Sequence, residues 1–224
     1  VYPRSVLKQI VDVAREHGLV VFSDEIYEKI TYDGAEAINM ATLTGDDVLC
    51  LTFSGLSKAY RVCGYRAGWV AITGPKKDAS SYLEGIHLLA SMRLCANVPA
   101  QHAIQTALGG YQSINELIVP GGRLYEQRTL AHKMLNEIDG ISCTSADGAL
   151  YLFPKIDVER FDITDDEQFA LDLLKSQKIL FSHGRAFNWK DPDHFRLVFL
   201  PDTQTLTSAL ERLGNFMADY KQKH

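Results

Sequence analysis

The sequence has 224 residues, of which 46% are hydrophobic, so it can bury a substantial core in one large domain or two small ones. Its net charge of −5 argues against a nucleic-acid-binding surface, because such a surface needs an excess of lysine and arginine to neutralise phosphates. Its apolar runs fall far below the roughly 20 residues that span a bilayer, and no leader-like segment opens the sequence. We therefore expect neither a membrane nor a nucleic-acid partner.

The first predicted element is a helix, because apolar residues recur at helical spacing after the opening YPR. Ser5 is a candidate N-cap, and Gly18 is a natural stop. The run LVVF at residues 19–22 follows at once. It is continuous and rich in β-branched residues, which predicts a strand buried on both faces.

Two further apolar runs, VLCLTF at residues 48–53 and GWVAI at residues 68–72, predict strands of the same α/β layer. Polar residues past strand ends are where open α/β sheets bind ligands. Asp24, Tyr27 and Lys58 occupy positions of that kind, so they are the first candidates for a site.

Residues 78–108 predict two helices interrupted near CANVP, because Pro99 disfavours a continuous helix. A long amphipathic helix follows Gly122 and ends near Gly140. We place residues 1–118 in a first domain and treat residues 119–140 as an interdomain helix.

Residues 141–224 predict a compact α+β domain. A turn at Asp147-Gly148 separates two strands, and Thr164 with Glu167 offers a capping box for a helix through Lys178. The segments KILFSHG and HFRLVFL read as strands, and residues 203–222 as a terminal helix.

The four cysteines are dispersed and form no C-x-x-C pair, which predicts reduced thiols and a cytoplasmic location. No two histidines have the i, i+4 spacing of a metal site, so we predict no metal.

Asp24 directly follows a predicted strand, where an aspartate commonly caps the next turn. A functional role would need a cationic partner. Tyr27 could present its hydroxyl on the same side, although a tyrosine at such a position often serves only core packing.

Lys58 shares a short segment with Arg61 and Arg66, and such a segment can be merely a basic surface loop. A desolvated lysine beside other cations has a lowered pKa, which frees the neutral amine for Schiff-base chemistry. Arg66 could donate two parallel hydrogen bonds to a phosphate. The segment also contains three glycines, Gly55, Gly64 and Gly68. They would allow the tight turn that brings Lys58 and Arg66 around one anion.

Arg196 is a charged residue inside the apolar segment HFRLVFL. On an alternating strand its side chain can simply point to solvent. If it points inward it needs a counter-charge, and a substrate carboxylate would serve.

Together these features resemble the class I/II aminotransferases, the fold-type-I enzymes that use pyridoxal 5′-phosphate. SDEIYEKI at residues 23–30 is similar to that family's Asp-x-x-Tyr element. SGLSKAYRVCGYRAGW at residues 54–69 is similar to its Ser-Lys-(seven residues)-Arg-x-Gly signature, and GALYLFP and the HFRLVFL arginine follow. The resemblance covers essentially the whole chain. It implies an α/β fold: part of a large, mostly parallel sheet domain, then a small α+β domain.

The resemblance also implies roles for individual residues. Lys58 would form the internal aldimine with the cofactor and later move the substrate proton. Asp24 would pair with the pyridinium nitrogen, and Tyr27 would hydrogen-bond the ring's phenolate oxygen.

For the two anionic groups, the resemblance implies that Arg66, with Ser57 and Ser54, would hold the phosphate. Arg196 would clamp the α-carboxylate of the amino acid. Many relatives carry a hydroxyl residue where this sequence has Gly55.

Within the family, residues 90–114 and 121–128 most resemble the bacterial glutamate–pyruvate (alanine) subgroup, which implies alanine or glutamate and 2-oxo acids as substrates. The resemblance further implies a homodimer, and a chain that is the C-terminal part of a longer enzyme and inactive alone. The alternatives are another fold-type-I enzyme, either aspartate aminotransferase-like or a lyase, and the effector domain of a regulator.

Overall fold

The computed structural model describes residues 1–223, and His224 lies outside the described residues. The chain divides into two compact units, Val1–Asn115 and Glu116–His224, which we describe separately. The helix predicted between the domains falls within the second unit, where it spans Arg123–Asn136.

The first unit is an α/β layer built on one three-stranded sheet. In chain order its elements are α1 (Arg4–Glu16), β1 (Val21–Asp24), α2 (Ala41–Thr44), β2 (Cys50–Gly55), β3 (Gly68–Thr73), α3 (Ser80–Met92) and α4 (Val98–Gly109). The strand order is β1-β2-β3. The interruption predicted near CANVP is therefore observed between α3 and α4.

The three-stranded sheet of the first unit is mixed. β1 pairs with β2 in parallel, whereas β2 pairs with β3 antiparallel. A parallel neighbour needs a crossover connection, usually a helix. The connection over residues 56–67 contains no α-helix, so the chain turns back and β3 runs against β2.

The core of the first unit forms where α1 packs against the sheet. Buried Leu7, Val11 and Ala14 of the helix cluster with Val21 and Cys50 of the strands. Gly18 follows the helix with φ +59°, as its predicted role as a stop requires.

Two predictions for the start of the chain are wrong. The helix begins at Arg4 after Pro3 and has no side-chain cap, so Ser5 lies inside the first turn. The strand starts at Val21 and is not buried on both faces, because Val21 is 9% exposed and Phe22 is 59% exposed. Phe22 instead stacks on exposed Phe53 of β2, with ring centroids 5.8 Å apart.

The second unit combines helices with short antiparallel strands. Its elements are α5 (Arg123–Asn136), β4 (Ile141–Ser142), β5 (Tyr151–Leu152), β6 (Lys155–Ile156), α6 (Val158–Phe161), α7 (Asp166–Gln177), β7 (Ser182–His183), β8 (Phe195–Val198) and α8 (Thr203–Asp219). β4 pairs with β6, and a second sheet has the order β5-β8-β7. Fully buried Leu135, Leu173 and Leu213 contribute one residue each from α5, α7 and α8 to the core.

The N-cap predicted for α7 is displaced by one residue. The Asp165 carboxylate accepts hydrogen bonds from the backbone N–H groups of Glu167 and Gln168, at 3.0 and 3.2 Å. The Thr164 N–H instead donates to the side chain of Gln222 at 2.8 Å. Thr164 is therefore not the cap, and Asp165 takes that role because its carboxylate reaches the free N–H groups of the first turn.

Within residues 1–223, no helix combines the length and the apolar character that crossing a bilayer would require.

Candidate active site

A cleft of about 620 Å³ opens at the carboxyl ends of β1 and β2. Because these two strands are parallel, the residues that follow them meet at one edge of the sheet, where open α/β sheets bind ligands. The cleft is lined by Asp24, Ile26, Tyr27, Phe53, Ser54, Ser57, Lys58, Cys63 and Arg66. The structure thus brings together all five predicted cofactor-binding residues of the first unit.

Asp24 is the last residue of β1 and is exposed in the cleft. One carboxylate oxygen accepts a hydrogen bond from the Ile26 N–H at 3.2 Å, so the local capping role considered from the sequence is observed. Among residues 1–223 no cation pairs with Asp24. A capped carboxylate with no protein counter-ion can pair with a cationic group of a ligand.

Glu25 fixes the segment that carries Asp24, a role that the sequence did not indicate. Its carboxylate accepts hydrogen bonds from the Ser23 hydroxyl, the Asn39 side-chain amide and the Met40 N–H, at 3.0, 2.6 and 2.8 Å. These bonds tie the end of β1 to the start of α2. Because Asn39 and Met40 lie 14 and 15 residues further along the chain, no local pattern could have shown these two bonds.

Lys58 and Tyr27 come from different motifs and meet in the cleft. The Lys58 Nζ lies 5.8 Å from the centroid of the Tyr27 ring. Lys58 is half-buried and forms no ion pair with any described residue. An amine that no carboxylate engages is sterically free to form a covalent bond with a ligand aldehyde.

Arg66 is positioned by a left-handed backbone conformation after a 3-10 turn over Cys63–Tyr65, with φ +51°. Its Nη1 donates to the Cys63 carbonyl at 2.6 Å and lies 3.4 Å from the Ser57 hydroxyl. A guanidinium beside a hydroxyl forms a donor pair that suits a phosphate group.

Arg61, the third cation of this loop, points elsewhere. It also has a positive φ of +59°, but its guanidinium donates to the Ser113 hydroxyl at 2.5 Å and does not line the cleft. The loop therefore places Lys58 and Arg66 in the cleft and holds Arg61 outside it.

The predicted role of the glycines in this loop is wrong. None of Gly55, Gly64 and Gly68 has a positive φ, and the left-handed positions are taken by Arg61 and Arg66. Gly55 and Gly68 are instead paired across β2 and β3, and a Cβ at Gly68 would lie 2.7 Å from the Ser54 carbonyl oxygen. These two glycines allow close approach of the strands, whereas nothing lies within 4 Å of a Cβ at Gly64.

Arg196 lies on β8 of the second unit. Its guanidinium contacts two aromatic rings, 4.6 Å from the centroid of Tyr151 and 4.3 Å from that of Phe187. Its Nε is buried and has no hydrogen-bond partner among the described residues. The side chain therefore does not simply point to solvent, and it retains a donor for an incoming anion.

The chemistry of the cleft fits a phosphorylated aldehyde that carries a ring cation. Arg66, Ser57 and Ser54 supply donors for phosphate, Asp24 supplies the carboxylate, and Lys58 supplies the amine. Nowhere in the described part of the chain do three or more metal-ligating His, Cys, Asp or Glu residues converge.

Comparisons with known proteins agree with this chemistry. The family model described as "Aminotransferase class I and II" matches residues 1–213. An alanine aminotransferase of Mycobacterium tuberculosis (strain ATCC 25618 / H37Rv) is 62% identical over 222 residues, which are 99% of this chain and 52% of that protein. The glutamate-pyruvate aminotransferase AlaA of Escherichia coli (strain K12) is 56% identical over 99% of this chain and 55% of its own length.

Solved structures show the same similarity. An aminotransferase from Escherichia coli superimposes with a TM-score of 0.97 at 56% identity, over 100% of this chain and 55% of that one. An alanine aminotransferase from Pyrococcus furiosus gives a TM-score of 0.90 at 40% identity, over 98% and 54%. The chain thus spans about half the length of the relatives it matches.

Proposed function

The chain belongs to the class I and II aminotransferase family, and from that premise we propose that it carries the cofactor-binding part of a transaminase. The enzyme would move an amino group between an L-amino acid and a 2-oxo acid. The observation that carries the proposal is the cleft in which Lys58, Asp24 and Arg66 lie together.

The family uses pyridoxal 5′-phosphate, and the cleft offers a partner for each of its polar groups. Arg66, Ser57 and Ser54 would hold the phosphate. Asp24 would hold the pyridine nitrogen in its protonated form, and Tyr27 would donate to the ring oxygen. Lys58 would supply the amine that attaches the cofactor. When bound, the cofactor supplies an electron sink for the charge that develops at the substrate α-carbon.

The side chains of this chain would then perform three tasks. The Lys58 amine would take the proton from the α-carbon of the amino acid and, in the opposite half-reaction, give a proton to the α-carbon of the 2-oxo acid. The Asp24 carboxylate stabilises positive charge on the nitrogen that faces it. Arg196 binds the substrate α-carboxylate through its fork of N–H donors, which orients the bond to be broken.

We assign the first unit, Val1–Asn115, to the C-terminal part of the large cofactor-binding domain and the second unit to the small domain. Homodimerisation and a cytoplasmic location remain predictions. Cys50, Cys63, Cys95 and Cys143 are free thiols.

For the substrates, we propose alanine and glutamate with their 2-oxo acids. This rests on relatives named alanine and glutamate-pyruvate aminotransferase at 62% and 56% identity. The test is a panel of amino acids and 2-oxo acids with the full-length, cofactor-loaded protein. Alanine with 2-oxoglutarate is expected to give pyruvate and glutamate at the highest kcat/KM.

A preference for aspartate or aromatic amino acids would overturn the substrate assignment alone. Release of ammonia or of a side-chain fragment, without amino transfer, would overturn the transaminase assignment. A single turnover with alanine separates these outcomes, since a transaminase retains the amino group on its cofactor and the absorption spectrum changes accordingly.

A further inference from the structure

The Phe187 ring that contacts Arg196 belongs to a short, solvent-facing segment, residues 184–189. It comprises a 3-10 turn over Gly184–Phe187, then Asn188 with φ +60°, then Trp189. Phe187 and Trp189 are 45% and 43% exposed, so burial alone does not fix their positions. Something else must hold this segment if the ring is to stay on the guanidinium.

The first end of the segment is fastened by a buried carboxylate. Asp166, the first residue of α7, has a side chain only 1% exposed. It accepts hydrogen bonds from the Arg185 N–H at 2.8 Å and from the Arg185 Nε at 2.5 Å. The His183 Nδ1 lies 3.6 Å away on the same carboxylate. A buried carboxylate with two charge-assisted bonds is a strong and directional anchor.

The other end is fastened by a second carboxylate of low exposure. Asp193, with a side chain 11% exposed, accepts a hydrogen bond from the Trp189 indole N–H at 2.8 Å. The His194 Nδ1 lies 2.6 Å from the same oxygen, and the Lys155 Nζ lies 3.4 Å from the other. His194 directly precedes Phe195, the first residue of β8, so this anchor connects the segment to that strand.

The aromatic rings between the anchors form one contiguous set. Phe153 lies edge-on to Phe187 and to Trp189, with centroids 6.4 and 5.5 Å apart, and stacks on His194 at 4.8 Å. The position of Phe187 is thereby tied by ring contacts to the Asp193 end of the segment, and through the backbone to Arg185 at the other end. Phe187 also contacts Arg196.

We propose that Asp166 and Asp193 are positioning residues for substrate binding, because through Arg185 and Trp189 they hold the Phe187 ring against the Arg196 guanidinium. This inference rests on the proposed function, since it takes Arg196 as the residue that binds the substrate carboxylate. A free arginine side chain loses rotamer freedom when it binds a ligand. Aromatic rings restrain the guanidinium without a carboxylate partner. The N–H groups of Arg196 therefore remain available to the substrate carboxylate.

The test uses the full-length, cofactor-loaded protein and four variants. Asp166→Asn keeps the shape of the side chain but removes the buried charge that contacts Arg185, and leaves only the exposed Asp165 carboxylate at 2.5 Å from the guanidinium. Phe187→Leu keeps apolar bulk but removes the ring, and Phe187→Tyr restores a ring. Asp139→Asn is the matched control, because Asp139 forms an exposed ion pair with Arg160 in the same unit at 2.5 Å, and among the described residues no hydrogen bond or ion pair joins it to residues 184–189.

We expect Asp166→Asn and Phe187→Leu to raise KM for both alanine and 2-oxoglutarate about tenfold, with kcat changed less than twofold. Phe187→Tyr should return KM to within about twofold of the wild type, and Asp139→Asn should leave it unchanged. The absorption spectrum of the bound cofactor should be the same in all five proteins. A purely structural defect would instead lower kcat and the fraction of protein that carries cofactor, and would not raise KM alone.

An unchanged KM in Phe187→Leu would overturn this inference while leaving the transaminase assignment intact. A wild-type protein that transfers no amino group would overturn the proposed function and this inference with it. If Asp166→Asn does not fold, Trp189→Phe removes the donor to Asp193 but keeps a ring. The same rise in KM is then expected from Trp189→Phe, and its absence would contradict the proposal.

Discussion

The Lys58 Nζ lies 5.8 Å from the centroid of the Tyr27 ring, and both side chains line one cleft. The two residues belong to different motifs, one after β1 and one after β2. Their contact follows from the parallel pairing of those strands, which places both strand ends at the same edge.

Replacement of Tyr27 by phenylalanine should keep the ring beside Lys58 but remove the hydroxyl. We expect the cofactor to remain bound and kcat to fall about tenfold, since a hydrogen bond contributes about 1 kcal/mol and a bond to a charged group more. Steady-state kinetics and the pH dependence of the cofactor absorbance measure this. Tyr65→Phe is the control, because Tyr65 lies in the same loop but outside the cleft; equal losses in both variants would contradict a specific role.

Replacement of Arg66 by alanine should weaken cofactor binding. Charge-assisted hydrogen bonds contribute about 1.5–3 kcal/mol, so we expect the Kd of the cofactor to rise about 10- to 100-fold. Equilibrium dialysis or spectral titration of the full-length protein measures it.

Arg61→Ala is a matched control for Arg66→Ala. Both arginines have a positive φ in the same loop, but Arg61 donates to Ser113 outside the cleft. Its removal should leave the Kd of the cofactor within about twofold of the wild type. If the two variants lost affinity equally, the effect would come from the loop's total charge and not from a specific phosphate ligand.

Replacement of Gly68 by alanine should destabilise the sheet, because the new Cβ would lie 2.7 Å from the Ser54 carbonyl oxygen. We expect a loss of about 1–3 kcal/mol in the free energy of unfolding. Gly64→Ala has open space and should change it by less than about 0.5 kcal/mol. Urea denaturation measures the free energy of unfolding of both variants. An unchanged value for Gly68→Ala would show that β2 and β3 do not approach so closely.

Asp166 should make stability depend on pH. Burial raises the pKa of its carboxyl, but the backbone and side-chain hydrogen bonds from Arg185 outweigh burial and hold the pKa below its usual value. A carboxyl with a depressed pKa stabilises the fold above its unfolded pKa of about 3.9, and this contribution is lost as pH falls through the folded pKa.

Asp166→Asn should therefore lower the free energy of unfolding at pH 7, because it removes the buried carboxylate that accepts hydrogen bonds from Arg185. The difference from the wild type should shrink below pH 4. Urea denaturation at pH 7 and pH 3 measures both values. A difference that is the same at the two pH values would contradict the ion-pair interpretation.

The sequence predicted the cleft because its residues lie in two local motifs at strand ends. Asp24 and Tyr27 follow one apolar run, and Lys58 and Arg66 follow the next, so strand pairing alone brings them together. The interruption between α3 and α4 was also predicted from a local signal, because Pro99 disfavours a continuous helix.

Features that depend on packing between elements distant in the sequence could not be predicted in this way. An apolar run does not report which of its faces is covered, and Phe22 is exposed although its neighbour Val21 is buried. The carboxylates that anchor residues 184–189 were not predicted from the sequence for a similar reason. No local pattern marks Asp166 as an anchor, because its partner Arg185 lies on a different element. The rings that hold Arg196 likewise come from two separate segments.

The measurement that tests the central claim most directly is reduction of the full-length, cofactor-loaded protein with borohydride, followed by peptide mapping. If Lys58 attaches the cofactor, the modification should lie on Lys58 alone, and Lys58→Ala should lose both the modification and amino transfer. A modification on any other lysine, or full amino transfer by Lys58→Ala, would contradict the account.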